Sequence, residues 1–293
     1  MPLLIFLLAY LIRRRLDALG RWDIAPFFRL VFHRAAPEPE PENATTGLFL
    51  VFVAALLLTV MDWSWASRGL AVIGYPVDLF LLLVLMGAPG WHSLVKIYGD
   101  AWQRGDMQGA WHHIKDSLPA HERGQAGSPD SMHLSFSTQL LTVVFERYFL
   151  IVFWYAVGGI GLAVFARGVV ALRDLWPQPA ARYRFALLAE IVSWLPVRLL
   201  SFSFGLAGDF SGWLKEGRRY ALTPSANART VLFTAANSAL SGYALNPKRF
   251  ASLHPDDWLD FGRRSLRAIR DLLNRSMLVW VCLLALLVLA GWL

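Results

Sequence analysis

The residues of this chain that could do chemistry lie inside an apolar run. The run from Arg182 to Phe210 is long enough to cross a bilayer, yet it holds Glu190, Pro196 and Arg198. An ionisable side chain at membrane depth costs at least about 2.5–3.5 kcal/mol unless it finds a partner or a wet cavity. The pair therefore predicts a polar site, in which a carboxylate could bind metal or move protons and a guanidinium could hold phosphate.

The spacing of these residues places them on one face of a helix. Glu190, Trp194 and Arg198 follow one another at intervals of four, so they form a stripe about two turns long. Its ends lie about 12 Å apart along the axis, too far for a direct ion pair. Pro196 frees the carbonyl of Val192 and can kink the helix there. Each charge therefore needs a partner elsewhere in the chain.

Charged residues at the ends of neighbouring runs supply candidate partners. Glu146 and Arg147 directly precede one apolar run, and Asp209 ends the run that carries Arg198. We expect a cytoplasm-facing polar cluster of Glu146, Arg147, Arg198 and Asp209, with Glu190 deeper. Its partner is either a small anionic ligand or another membrane protein. The alternative is that the same residues only join helices to one another.

Composition sets the class of protein. Hydrophobic residues make up 56% of the 293 positions and charged residues only 17%, below the roughly 25% typical of soluble domains. The net charge of +7 comes from basic residues that flank apolar runs, and no nucleic-acid motif accompanies them, so we exclude nucleic acid as a partner. The single cysteine, Cys282, excludes an intrachain disulfide and a cysteine metal cluster. His112 and His113 are adjacent and diverge on a helix, so we expect no metal site.

The apolar runs predict an all-α polytopic membrane protein that forms a single integral membrane domain over residues 1–293. A short N-terminal apolar helix covers residues 3–12, only half of the roughly 20 residues that an upright span needs. In the third of the full spans, Gly158 and Gly159 are expected to allow close helix packing at mid-membrane. The five transmembrane helices are predicted at 47–60, 70–87, 148–170, 182–210 and 276–293.

The segments between the spans are unequal in charge. Residues 13–46, 89–147 and 209–275 hold 22 basic residues, whereas 62–69 and 167–184 hold five, so the positive-inside rule makes the first three cytoplasmic. The run PEPEPEN at 37–43 predicts a linker. The region 89–147 predicts a cytoplasmic loop of amphipathic helices.

The region 209–275 predicts a basic cytoplasmic segment with an amphipathic helix at 256–274. Trp258, Phe261, Ile269 and Leu272 form the apolar face of that helix. A basic amphipathic helix of this kind usually lies on an anionic leaflet. We therefore expect anionic lipid at the basic face, which consists of Arg263, Arg264, Arg267 and Arg270.

Two stretches resemble a known family. FERYFLIVFWYAVGGIG at 145–161 and WLPVRLLSFSFGLAGDF at 194–210 resemble the AmpE proteins, a divergent branch of the CobD/CbiB cobalamin-biosynthesis family. The resemblance extends from about Leu134 to the C-terminus. It implies that Leu195, Pro196 and Arg198 belong to a shared motif, and that Glu190 occupies the second of two acidic positions.

The resemblance also implies a function and a location. Ala189 and Ser193 stand where the cobinamide enzymes have an acidic residue and an asparagine, which favours the AmpE branch. That branch implies a multi-pass protein of the bacterial inner membrane that acts in β-lactamase induction and the cell-wall stress response. The alternative is an enzyme that forms an amide bond on a phosphate-bearing, cobinamide-type substrate. A purely structural partner of another membrane protein stays open, whereas a transporter lacks the expected inverted repeat.

Overall fold

The computed structural model describes residues 2–20, 22–36, 44–119, 122–123 and 127–291. The chain is 84% helical and no β-strand occurs in the described residues. Within these described ranges, four helical segments are long and apolar enough to cross a membrane, namely Thr45–Ser67, Pro129–Leu175, Pro179–Ala207 and Pro255–Leu289. The protein is therefore an all-α membrane protein. The predicted linker at 37–43 lies outside the described residues.

The helices follow one another with short connections. They are α1 (Pro2–Ala18), α2 (Ala25–Ala35), α3 (Ala44–Ser67), α4 (Ala71–Leu85), α5 (Trp91–Gln103), α6 (Met107–Ile114), α7 (Pro129–Val144), α8 (Leu150–Leu175), α9 (Pro179–Ala207), α10 (Phe210–Gly212), α11 (Arg218–Leu222), α12 (Ala228–Ala239), α13 (Pro247–Leu253) and α14 (Trp258–Leu289). A π-helical turn, Phe145–Phe149, joins α7 to α8. The predicted run 70–87 is covered by α4, which is 15 residues long.

The chain divides into two compact units. The first contains residues 1–89, 144–196 and 284–293, and the second contains 90–143 and 197–283. The first unit therefore holds α1 to α4, α8, most of α9 and the last residues of α14. The second holds α5 to α7, α10 to α13 and most of α14.

The first unit is built around a helical hairpin. Glu146 and Arg173 are 27 positions apart, and a continuous helix would separate them by about 40 Å. Instead their side chains form an ion pair at 2.6 Å. The backbone leaves helical geometry inside α8 at Gly158 (φ −154°, ψ 31°) and Gly159 (φ 71°, ψ −165°). The chain therefore reverses at these two glycines, and α8 consists of two antiparallel arms.

This reversal corrects the predicted single crossing between residues 148 and 170. One crossing would put Glu146 and Arg173 on opposite sides of the membrane. The positive-inside assignment rests on that crossing, so it also places the segments 89–147 and 167–184 on opposite sides. The φ of +71° at Gly159 belongs to a region that glycine enters without steric cost. The pair of glycines therefore forms the turn of the hairpin, and the far ends of its two arms lie side by side, where Glu146 contacts Arg173.

The two arms of the hairpin pack on different neighbours. In the second arm, Gly161 lies against Ala55 and Thr59 of α3, where a Cβ would meet backbone and side-chain atoms. In the first arm, the Tyr155 hydroxyl donates to the buried carboxylate of Asp78 in α4 at 3.1 Å. Small residues thus bring the second arm close to α3, while a hydrogen bond joins the first arm to α4.

Aromatic residues cover the open end of the hairpin, where Glu146 meets Arg173. Trp176 is fully buried, with its ring 5.7 Å from those of Phe32 and Phe185. Val51 and Leu172 complete this cluster. The amphipathic helix α2 is thereby fixed against the second arm and the start of α9.

The second unit is held together by α14. The sequence predicts an amphipathic helix at 256–274 and a separate span from 276, but α14 runs without a break from Trp258 to Leu289, because no breaker stands between Asn274 and Ser276. Its predicted apolar face is confirmed, since Phe261, Ile269 and Leu272 are buried. The face packs on α5, where Trp102 Nε1 donates to the carbonyl of Trp258 at 3.1 Å.

Candidate functional site

The open end of the hairpin carries a cluster of charges. Arg173 Nη1 donates to Glu146 Oε1 at 2.6 Å and Nη2 donates to Oε2 at 2.9 Å, a two-pronged pair. Arg173 also donates to its neighbour Asp174, from Nε at 2.8 Å and from Nη2 at 3.2 Å. Such planar, charge-assisted pairs are the strong class of protein hydrogen bond. One guanidinium therefore holds both carboxylates of the cluster.

Two further arginines lie close to this pair. Arg167, on the second arm, is only 1% exposed, and the charges of Arg147, Arg173, Glu146 and Asp174 all act on it. Three arginines and two carboxylates leave the cluster one positive charge in excess. We call these five residues the hairpin cluster. Its chemistry is that of anion recognition.

Local backbone geometry positions the first-arm members of the hairpin cluster. Glu146 and Arg147 stand in the π-helical turn Phe145–Phe149, and such turns are frequent at functional sites. The main-chain carbonyl of Arg147 accepts a hydrogen bond from the N–H of Gly87 at 3.4 Å. The turn is thus linked to the segment that follows α4.

A second buried ion pair lies in the same unit. Arg13 is 1% exposed and contacts Asp17, with Nε 3.0 Å from Oδ1. Asp17 Oδ2 accepts from the backbone N–H of Ala88 at 2.8 Å and from the Tyr148 hydroxyl. Arg13 also donates to the carbonyl of Leu83 in the last turn of α4, a favourable place for a cation. This pair fixes the end of α1 to the base of the first arm.

The predicted site residues are divided between the units. Glu146, Arg147 and Glu190 belong to the first unit, and Arg198 and Asp209 belong to the second. Among the predicted site residues, Glu146 and Arg147 belong to the hairpin cluster, whose other members are Arg167, Arg173 and Asp174. Glu190 is exposed on α9.

Arg198 and Asp209 make different contacts within the second unit. Arg198 Nη2 donates to the carbonyls of Thr223 at 2.8 Å and Pro224 at 3.4 Å. Asp209 is exposed, and its Oδ1 accepts from the N–H of Gly212 at 3.0 Å, as a helix N-cap does. Both side chains thus bond to backbone atoms of their own unit.

The first stretch that carries the family resemblance bonds to α9 just before the second stretch begins. Pro196 leaves the carbonyl of Val192 without a helical donor, and Trp154 Nε1 donates to that carbonyl at 3.1 Å. The α9 helix continues past buried Pro196 to Ala207, and Leu195 is 47% exposed. The indole on the first arm thus replaces the missing helical bond.

The second unit contains a buried hydrogen-bonded chain. The Tyr98 hydroxyl lies 3.0 Å from His133 Nδ1, and His133 Nε2 lies 2.8 Å from Ser265 Oγ. These atoms resemble a nucleophile with its base, but all three side chains are at most 1% exposed and their polar atoms bond to one another. Burial also raises the pKa of the Tyr98 hydroxyl well above its usual value. The chain therefore joins α5, α7 and α14.

Other polar contacts in the second unit are also internal. Arg229 donates to Gln139 Oε1 at 2.5 Å and to Glu122 Oε1 at 2.6 Å. Among the described residues, no group of three or more His, Cys, Asp or Glu side chains is arranged to hold a metal ion.

Sequence reasoning missed three members of the hairpin cluster. Arg167 lies inside the predicted span 148–170, and an arginine at that depth is itself a signal. The sequence prediction places Arg173 and Asp174 in a loop on the other side of the membrane from Glu146, because it treats the glycine pair as a packing motif. A turn at Gly158–Gly159 would have placed all three beside Glu146.

Comparison of the chain with protein-family models, with curated proteins and with solved structures gave no match.

Proposed function

We propose that this chain is a regulatory protein of the bacterial inner membrane, similar to AmpE, that acts in β-lactamase induction and the cell-wall stress response through the hairpin cluster. The supporting observation is the hydrogen bond from Trp154 to the Val192 carbonyl. It joins the first of the two stretches on which the resemblance rests to α9, the helix that carries most of the second stretch, and it lies on the arm that positions Glu146.

The hairpin cluster suits a signalling role. Its charges are partly buried, with Glu146 9% and Arg173 27% exposed at their side chains, and charged residues in membrane segments are usually functional. An anion that competes for Arg173 would release Glu146 and so loosen the two arms. The hairpin would then have two states, one with the Glu146–Arg173 ion pair and one without it, and the ligand would favour the second.

The amide-forming enzyme is less well supported by the geometry. Both oxygens of Glu146 accept from Arg173, so this carboxylate is occupied in a way that opposes metal binding or proton transfer. Growth of a cobalamin-ligase mutant rescued by this gene would support the enzyme over the regulator.

We also propose that the basic face of α14 binds anionic lipid. Arg263 and Arg264 already have acidic partners, Asp100 at 2.5 Å and Asp257 at 2.6 Å, but all four side chains are at least 30% exposed. Exposed pairs of this kind contribute little to stability. The basic face of α14 therefore stays able to contact an anionic leaflet.

Gene deletion combined with complementation tests the proposed function. Deletion should change inducible β-lactamase activity and β-lactam tolerance, and the wild-type gene should restore both. Glu146→Gln should fail to restore induction even when its expression is raised until its abundance in the membrane equals that of the wild type. An unchanged response after deletion would contradict the regulatory role.

A further inference from the structure

We propose that Arg167 and Arg147 bind a phosphate-type oxyanion at the open end of the hairpin. The inference concerns binding alone, so it stands whether or not the chain regulates β-lactamase. It rests on the state of the Arg167 side chain and on the charges that surround it.

Arg167 is buried with donors that are not used. Its side chain is 1% exposed, and no acceptor among the described residues bonds to Nε or Nη1. A guanidinium carries five N–H donors and no acceptor. A buried charge without hydrogen-bond partners is strongly unfavourable, and proteins normally avoid one. The donors therefore indicate a missing acceptor.

The carboxylates of the hairpin cluster are already committed. Both oxygens of Glu146 and both oxygens of Asp174 accept from Arg173. Arg147 adds a further positive charge that acts on Arg167. The hairpin cluster thus has a net charge of +1, which a bound anion would neutralise.

The surroundings of Arg167 restrict how that anion can approach. The Phe28 ring lies 5.4 Å from the guanidinium carbon, so an aromatic face occupies one side of the plane. The N–H groups point outward within the plane. A phosphate has several oxygens spread in three dimensions, which suits donors from two arginines better than one flat carboxylate does.

The phosphate could belong to a free anion or to a lipid headgroup, and the experiment separates these sources. The full-length protein is purified in detergent in phosphate-free buffer. Its thermal unfolding midpoint is then titrated with inorganic phosphate and, separately, with mixed micelles that contain phosphatidylglycerol. Diacylglycerol with the same acyl chains serves as the lipid control, because it lacks the phosphate.

Saturable stabilisation by inorganic phosphate would assign the site to a free anion. Stabilisation by phosphatidylglycerol, without an effect of diacylglycerol or of free phosphate, would assign it to a headgroup. In either case Arg167→Gln should weaken binding about 10- to 100-fold, the usual worth of hydrogen bonds to a charged group. Arg68→Gln removes the same charge from an exposed side chain outside both the hairpin cluster and the basic face of α14, and it should bind like the wild type.

Two outcomes would overturn the proposal. The first is that neither phosphate nor phosphatidylglycerol raises the midpoint of the wild type. The second is that Arg68→Gln weakens binding as much as Arg167→Gln does. If Arg167→Gln fails to fold, the half-buried Arg147 offers a second variant, and Arg147→Gln should show the same selective loss. Induction of β-lactamase is measured separately, so a failed regulatory role would leave the binding result intact.

Discussion

Glu146 and Arg173 close the helical hairpin at its open end. The pair is two-pronged, at 2.6 and 2.9 Å, and it joins residues that lie on opposite arms of α8. Both side chains are largely withdrawn from water, so screening by salt is weak there. The pair is therefore placed to set the spacing of the arms, on which the position of Arg147 and Arg167 depends.

Breaking this pair should destabilise the protein. Glu146→Gln removes the charge that Arg173 binds, and we expect a loss of about 1.5–3 kcal/mol, the usual value for a hydrogen bond to a charged group. The free energy of unfolding can be measured in mixed micelles by titration with sodium dodecyl sulfate. A cycle with Arg173→Gln and the double variant isolates the coupling between the two residues.

A surface ion pair provides the matched control for this cycle. Arg264 and Asp257 lie equally close, at 2.6 Å, but their side chains are 55% and 39% exposed. Exposed pairs contribute about 0–1 kcal/mol, so Arg264→Gln should change stability little. A coupling between Glu146 and Arg173 as small as that of the control pair would show that the hairpin does not depend on its ion pair.

The turn of the hairpin should be intolerant of a side chain. Gly159 has a φ of +71° and a ψ of −165°, and Gly159→Ala forces a residue with a Cβ into a region that is essentially limited to glycine, at a cost of about 1–3 kcal/mol. Gly127→Ala is the control, because nothing lies within 4 Å of its added Cβ and its φ is not positive. The measurement is the unfolding midpoint of each variant in detergent, and equal midpoints would argue against the turn.

The sequence predicts the helical class and individual helices well for a physical reason. Hydrophobic periodicity is local, so the apolar face of residues 256–274 and the freed carbonyl of Val192 can be recognised without knowledge of the fold. Both predictions are confirmed by burial along α14 and by the Trp154 hydrogen bond. The same holds for the membrane class, which follows from composition alone.

The sequence could not predict the hairpin, and for that reason it also could not predict the partners of Glu146. Two glycines in an apolar run can allow close packing of a straight helix or a reversal of the chain, and their neighbours do not distinguish these cases. A straight helix puts Arg173 and Glu146 on opposite sides of the membrane, and Glu146 then lacks the partner that the structure shows. The partners of a charge are non-local, so one topological error changes the whole site.

Labelling of single cysteines would test the topology of the first unit. In a Cys282→Ser background, cysteines are introduced at Leu19, Ser67 and Ala180, all of which are exposed. Leu19 follows α1 near the open end, Ala180 begins α9 just after the second arm, and Ser67 ends α3 beyond the turn. An impermeant maleimide should label Leu19→Cys and Ala180→Cys from one side of the membrane and Ser67→Cys from the other.

A straight crossing between residues 148 and 170 gives a different pattern. It would put Ala180→Cys on the side of Ser67→Cys and apart from Leu19→Cys. The maleimide reaches one side of the membrane in intact cells and the other side in inverted vesicles. A cysteine that is labelled in one preparation and not in the other is therefore shown to be reactive. The pattern of Ala180→Cys alone therefore decides between the hairpin and the single crossing.

The hydrogen bond between Trp154 and Val192 should contribute measurably to stability. Trp154→Phe keeps an aromatic ring on the first arm but removes the indole donor, so the carbonyl freed by Pro196 loses its partner. We expect a loss of about 1–3 kcal/mol, because the acceptor left behind is only partly exposed. Trp63→Phe is the control, since Trp63 is 72% exposed and should change the unfolding free energy little. Restoring the helical donor with Pro196→Ala in the Trp154→Phe background should recover part of the loss. No recovery would mean that the Val192 carbonyl does not depend on the indole.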